Sequence, residues 1–129
     1  MLTVEVTESG RGKLALDVTA GAHHLVADEG AAVGGTDTGP SPHDFLLIAL
    51  GSCTVMTLRL YAERKGYALR KITTKLSQRK DGEVTEMTRE ITLEGDLDDE
   101  ARARLLEIAN KCPVHRTLTG EIKITTTLG

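Results

Sequence analysis

Aromatic side chains are nearly missing from this chain of 129 residues, which has no Trp, one Phe and two Tyr. A core built without them is aliphatic, drawn from Leu, Ile, Val and Ala. A surface without them has little on which to stack nucleobases. Blocks of basic residues are missing too, and the formal charge of -3 with a pI near 5.8 argues against nucleic acid as a partner. The first residues lack the basic and then apolar pattern of a signal peptide. No uninterrupted apolar run approaches the ~20 residues that a membrane helix needs. The expectation is a cytoplasmic protein with no membrane attachment. Disulfides seldom persist in that compartment, so the only two cysteines, Cys53 and Cys112, point to catalytic or redox duty. The alternative is a pair of unrelated buried thiols that act as small hydrophobes.

Several chemistries lack their residues. The four histidines and two cysteines show none of the short paired spacings of structural zinc sites. His23 and His24, side by side in a strand, face opposite sides and cannot share an ion. No metal and no other cofactor is expected. Gly51-Ser52-Cys53 lacks the second glycine of a hydrolase nucleophile elbow. The loop Gly34-Gly35-Thr36-Asp37-Thr38-Gly39 is rich in glycine but has neither the Lys nor the spacing of a P-loop.

What is present is ordered around residues 38–66. Gly39-Pro40-Ser41-Pro42 leads into an apolar run with Ser41 as N-cap and Pro42 at the first helical position. Arg64, Lys65 and Gly66 close it as a helix should be closed. Residues 45–50 are apolar without interruption, so no side of the early turns is polar. Such a helix belongs in a core or a subunit interface, and a chain this short can hardly surround it. A homodimer with two such helices in contact follows.

Alternating residues predict strands at 2–8, 13–19 and around 22–28, then 69–79 and 87–95 as a pair, and a last one at 122–125. A second helix begins at residues 96–100 and sets Ala101, Leu105, Ile108 and Cys112 in one buried stripe. Pro113 ends it, and residues 114–119 read as a turn. The fold class is α+β, in one domain over residues 1–129. Near Cys112, His115 and Arg116 either favour a reactive thiolate or cap a helix end and face water.

The stretches GGTDTGPSPHDFLLIALGSCT, RLYAERKGY, REITLEGDL and NKCPVHRTL, in that order, resemble the OsmC/Ohr family, and within it the OsmC-like branch. The resemblance implies an intertwined α+β homodimer, two long central helices wrapped by antiparallel β-sheets, with active sites at the subunit interface. It implies reduction of organic hydroperoxides, with Cys53 as the attacking thiolate, Cys112 resolving the sulfenic acid as a disulfide, and a dithiol reductant restoring both. The contrasting reading is a dimer that binds a small ligand or senses redox state without efficient peroxidase activity. One departure stands out. Where peroxidase members of the family carry a glutamate that positions an arginine on the thiolate, this chain has His43, followed by Asp44, and it has no arginine between Arg11 and Arg59. Arg59, Arg89 or Arg116 are the candidate substitutes, with His43 or His115 beside the thiol.

Overall fold

The computed structural model describes residues 2–129, which form two compact units, one up to Leu46 and one from Leu47 onward. In the first unit, three short strands, β1 (Val4–Glu8), β2 (Leu16–Ala20) and β3 (His23–Ala27), form an antiparallel sheet in that order. Val6 pairs with Val18, and Val18 pairs with Leu25. His23 and His24 are both exposed.

The loop after β3 is held by one buried carboxylate. Asp28 is 1% exposed and accepts from the hydroxyls of Thr36 and Thr38 at 2.8 and 2.6 Å, and from the backbone N–H groups of Glu29, Thr36 and Thr38. The glycine-rich loop thus does bind an anion, and the anion is its own Asp28. Close wrapping needs glycine at position 35, where a Cβ would come within 1.9 Å of the Glu29 carbonyl oxygen. These hydrogen bonds, those from the threonine hydroxyls foremost, hold the Asp28 carboxyl well below the usual carboxylate range.

Helix α1 spans Pro42–Lys65. Its start is a capping box, Asp44 N–H donating to Ser41 Oγ and Ser41 N–H to the Asp44 carboxylate. By length and composition α1 could cross a bilayer, with a mean hydropathy of 1.7 over its most apolar 18 residues. The expectation that no segment approaches membrane length therefore needs correcting. Ser52, Thr54 and Thr57 break the uninterrupted run but hardly lower the mean. A core helix passes the same test, and one side of α1 packs as such a helix does. Leu50, Gly51, Thr54, Leu58, Tyr61 and Ala62 are buried, spaced as one helical stripe. The all-round apolar character is thus only half used within one chain, because Ile48, Met56 and Leu60 stay exposed.

In the second unit, β4 (Ala68–Asp81) and β5 (Val84–Asp96) make a long antiparallel hairpin, Leu76 opposite Arg89. The turn sits at residues 82–83, with Gly82 at φ 63°. Helix α2 (Asp99–Ala109) starts on Asp98, whose carboxylate accepts from Ala101 N–H. Leu58, Tyr61 and Ala62 of α1, Leu69, and Leu105 and Ala109 of α2 form the core, with Ile72, Ile91 and Leu93 packed against it.

Two further expectations fail. Residues 114–119 are not a turn but helix α3 (Pro113–Thr119). Pro113 does not merely end α2. It sits at the first position of α3, where a missing N–H is harmless. Residues 122–125 form no strand, and Ile122 and Ile124 are 56% and 84% exposed. A strand needs a hydrogen-bonding neighbour, and among the described residues this segment has none.

The Asp28 clamp makes a test. Its lowered native pKa means a stabilising contribution that is complete above about pH 4, the ordinary carboxylate value, and that fades as pH falls below it. Asp28→Asn should lower the melting temperature at pH 7 by about 5 °C or more. Melts taken from pH 7 to pH 3 should show the gap between wild type and variant begin to narrow below about pH 4. Parallel curves would count against the clamp.

Candidate functional site

Cys53 lies in the middle of α1, and Cys112 follows the end of α2 as N-cap of α3. The structure brings the two thiols together at the first turn of α3. Val114 N–H donates to Cys53 Sγ and His115 N–H to Cys112 Sγ, each at 3.4 Å. Pro113 has no N–H, and Arg116 N–H returns to the Cys112 carbonyl. The backbone donors that a helix start leaves open are thus met mostly by two sulfurs. Both thiols are free, Cys53 half-buried and Cys112 fully buried.

Beside them runs a short polar chain. Thr54, next to Cys53 and wholly buried, has its hydroxyl 3.9 Å from Cys112 Sγ and accepts from Arg89 Nη1 at 3.0 Å. Its one proton goes to the Leu50 carbonyl at 2.6 Å, or turns to Cys112 Sγ when that sulfur is charged. Arg89 Nη2 reaches Asn110 Oδ1 at 3.0 Å and His115 Nδ1 at 3.1 Å. Arginine only donates, so His115 accepts through Nδ1 and carries its proton on Nε2. Burial pushes the Cys112 thiol up. The His115 N–H, the Cys53 thiol, the Thr54 hydroxyl and the Arg89 charge together outweigh that and leave it below the ordinary thiol value.

Of the sequence candidates, Cys53, Cys112, Arg89 and His115 meet here. Arg59 is used elsewhere, donating to the carbonyls of Leu69 and Arg70 and so tying α1 to β4. Arg116 is exposed on α3. Asp44 is taken up in the capping box of α1, and His43 is exposed beside it. Thr54 and Asn110 went unnoticed in the sequence. Thr54 had a signal, since it puts a hydroxyl in the buried stripe of α1 between Leu50 and Leu58. Among the described residues no group of three or more His, Cys, Asp or Glu could hold a metal ion.

An α+β chain with paired antiparallel hairpin strands and a reduced cysteine pair between two helices is a thiol protein in its architecture. It belongs to the OsmC-like protein family, whose model matches residues 35–127. Among solved structures it is similar to a putative osmotic stress induced and detoxification response protein from Psychrobacter arcticus. That pair shares 21% identity and a TM-score of 0.77, over 91% of this chain and 88% of the other. An OsmC-like protein from Mycoplasma pneumoniae gives 17% identity and a TM-score of 0.74, over 93% and 86%. The organic hydroperoxide resistance protein OhrB of Bacillus subtilis gives 22% and 0.63, over 93% and 91%. No curated protein matches the chain.

Removal of the Thr54 link should therefore raise the Cys112 pKa. In a Cys53→Ser background, where one thiol remains, Thr54→Val should move the thiolate absorbance transition to higher pH, and Thr54→Ser should leave it near its starting point. An unchanged transition in Thr54→Val would show that the hydroxyl does not act on the sulfur.

Proposed function

We propose that this protein is a thiol-dependent peroxidase that reduces organic hydroperoxides by a Cys53/Cys112 dithiol–disulfide cycle. The observation that carries the reading is the pair of free sulfurs held on adjacent N–H groups of one helix turn, with Arg89 bonded to the Thr54 hydroxyl beside Cys112. The family, and the hydroperoxide resistance named for the Bacillus subtilis neighbour, support the same chemistry.

Cys53 is the sulfur with exposed surface, so the peroxide meets it first. Cys112, whose thiol is held below its ordinary value, is the sulfur that carries the anion. It draws the proton from Cys53 as the attack begins. Cys53 sulfur bonds the outer peroxide oxygen, the O–O bond breaks, and the alkoxide leaves as an alcohol after taking up a proton. Cys53 is now a sulfenic acid. Cys112 sulfur then attacks Cys53 sulfur, expelling water and forming the disulfide. A dithiol returns two electrons and both protons by thiol–disulfide exchange, which suits a reducing compartment such as the cytoplasm.

The exposed side of α1 is read as the contact with a second copy. Ile48, Met56 and Leu60 are 49%, 65% and 68% exposed. Ile48 and Met56 border a groove of about 580 Å³, together with Leu47, Val55, Ile72 and Leu76. A contiguous apolar surface of this kind marks an interface. An intertwined homodimer with paired central helices would cover it.

Two experiments decide these points. With cumene hydroperoxide and dithiothreitol, Cys53→Ser should lower turnover by about a hundredfold or more, whereas Cys112→Ser should let a dimedone-reactive sulfenic acid build up on Cys53. Turnover that survives Cys53→Ser sinks the cycle. For the dimer, light scattering should give twice the chain mass for wild type and a smaller mass for Met56→Lys. A monomeric wild type removes the interface.

A further inference from the structure

A cavity of about 460 Å³ opens on the other side of Arg89, and neither cysteine lines it. Its walls are mainly apolar, with Leu50 of α1, Met87 and Ile91 of β5, Leu106 of α2 and Leu118 of α3, and Thr85 and Thr119 line it as well. Its polar end is Arg89, Asn110 and His115. We propose that this cavity binds an apolar carboxylate, with the carboxylate at Arg89 and His115 and the acyl chain along the Met87–Ile91–Leu118 wall.

Charge carries the argument. Arg11, Arg70, Arg79 and Arg104 each pair with a carboxylate. All four of these pairs are well exposed, where pairing contributes little. Arg89 is half-buried, where an unbalanced charge costs most, and its partners are the neutral Thr54, Asn110 and His115. Among the described residues no acid lines the cavity. Cys112 Sγ lies 3.9 Å from the Thr54 hydroxyl to which Arg89 also donates, and it does not line the cavity.

Hydrogen-bond capacity points the same way. A guanidinium has five N–H donors. Thr54, Asn110 and His115 take three, which leaves two. His115 adds its Nε2–H, because Nδ1 is occupied by Arg89. The polar end of the cavity is thus cationic and supplied with free donors. It fits a ligand that is anionic and accepts hydrogen bonds, while a neutral alcohol fills the same walls and leaves the charge unanswered. The volume lies in the range of small-molecule sites. Neither cysteine lines the cavity, so this binding goes beyond the thiol cycle and does not depend on it.

The test needs no peroxide, so a failed turnover assay and a failed binding assay are told apart. Octanoate, octanol and octylamine are titrated calorimetrically into the reduced full-length protein. Octanoate should bind about tenfold or more tighter than octanol, as one charge-assisted hydrogen bond allows, and octylamine more weakly than either. Added salt should narrow the octanoate advantage, and Arg89→Met should erase it. Should Arg89→Met fail to fold, Leu106→Asp serves. Leu106 is 61% exposed at the rim, and a new acid there should weaken octanoate and spare octanol. Equal affinity for octanoate and octanol, or no binding because a second copy of the chain fills the cavity, overturns the proposal.

Discussion

Two N–H groups at the start of α3, each donated to a different cysteine sulfur, hold the site together. A helix of seven residues is too short to persist on its own, so it relies on tertiary contacts and on partners for its open donors. Cys112 caps it from within, and Cys53 caps it from α1, more than 60 positions away in sequence. The arrangement serves packing and chemistry at once. It orders α3 against the central helix and sets both sulfurs within reach of each other. A sulfur that accepts an N–H is also better disposed to carry negative charge. The same bonds that end the backbone's open valences therefore prepare the thiols.

The second constraint is the admission of polar groups to apolar stripes. Along β5 the inward positions are Met87, Arg89, Ile91 and Leu93, alternating with exposed ones. Arg89 stands where an aliphatic residue would pack, facing Leu76 across the hairpin. Along α1, Thr54 interrupts Leu50 and Leu58 in the same manner. Each exception makes sense only because of the other. The hydroxyl accepts one arm of the guanidinium, and the guanidinium lies beside a hydroxyl that approaches Cys112. A buried polar network of this kind is stable only if its members are satisfied, and Asn110 and His115 complete it.

Much of this was legible in the residues. The strand alternation, the Ser41-Pro42 start, the long helix and the acidic start of α2 follow from local periodicity and capping, which are written in neighbouring positions. The two cysteines were visible as a pair because they were the only ones. What could not be read depended on placement. Nothing local to Arg59, Arg89 or Arg116 says which of them reaches the thiols. The hairpin register and the packing of α2 decide it, and they send Arg59 to the β4 carbonyls instead. The final alternating run, residues 122–125, looked like a strand since periodicity reports a half-buried face but not the presence of a neighbour to pair with. The turn after Pro113 proved helical because one of the two sulfur caps that support it, Cys53, comes from afar.

The place of the arginine's partner also changes what the arginine can do. In the peroxidase pattern that the sequence resembles, a glutamate aims the arginine, and the two charges largely cancel at a distance. Here the position of that glutamate holds His43, and the acid next to it is committed to the Ser41 cap. Arg89 is aimed instead by an amide, an imidazole and a hydroxyl, all neutral. Neutral acceptors fix the direction of a guanidinium without neutralising it, so its field reaches both Cys112 and the cavity beyond. The price is a half-buried charge with no built-in counter-ion. That cost is lowest when an anion is near, whether a thiolate on one side or a carboxylate on the other, and this ties the reactivity of the thiols to what occupies the cavity.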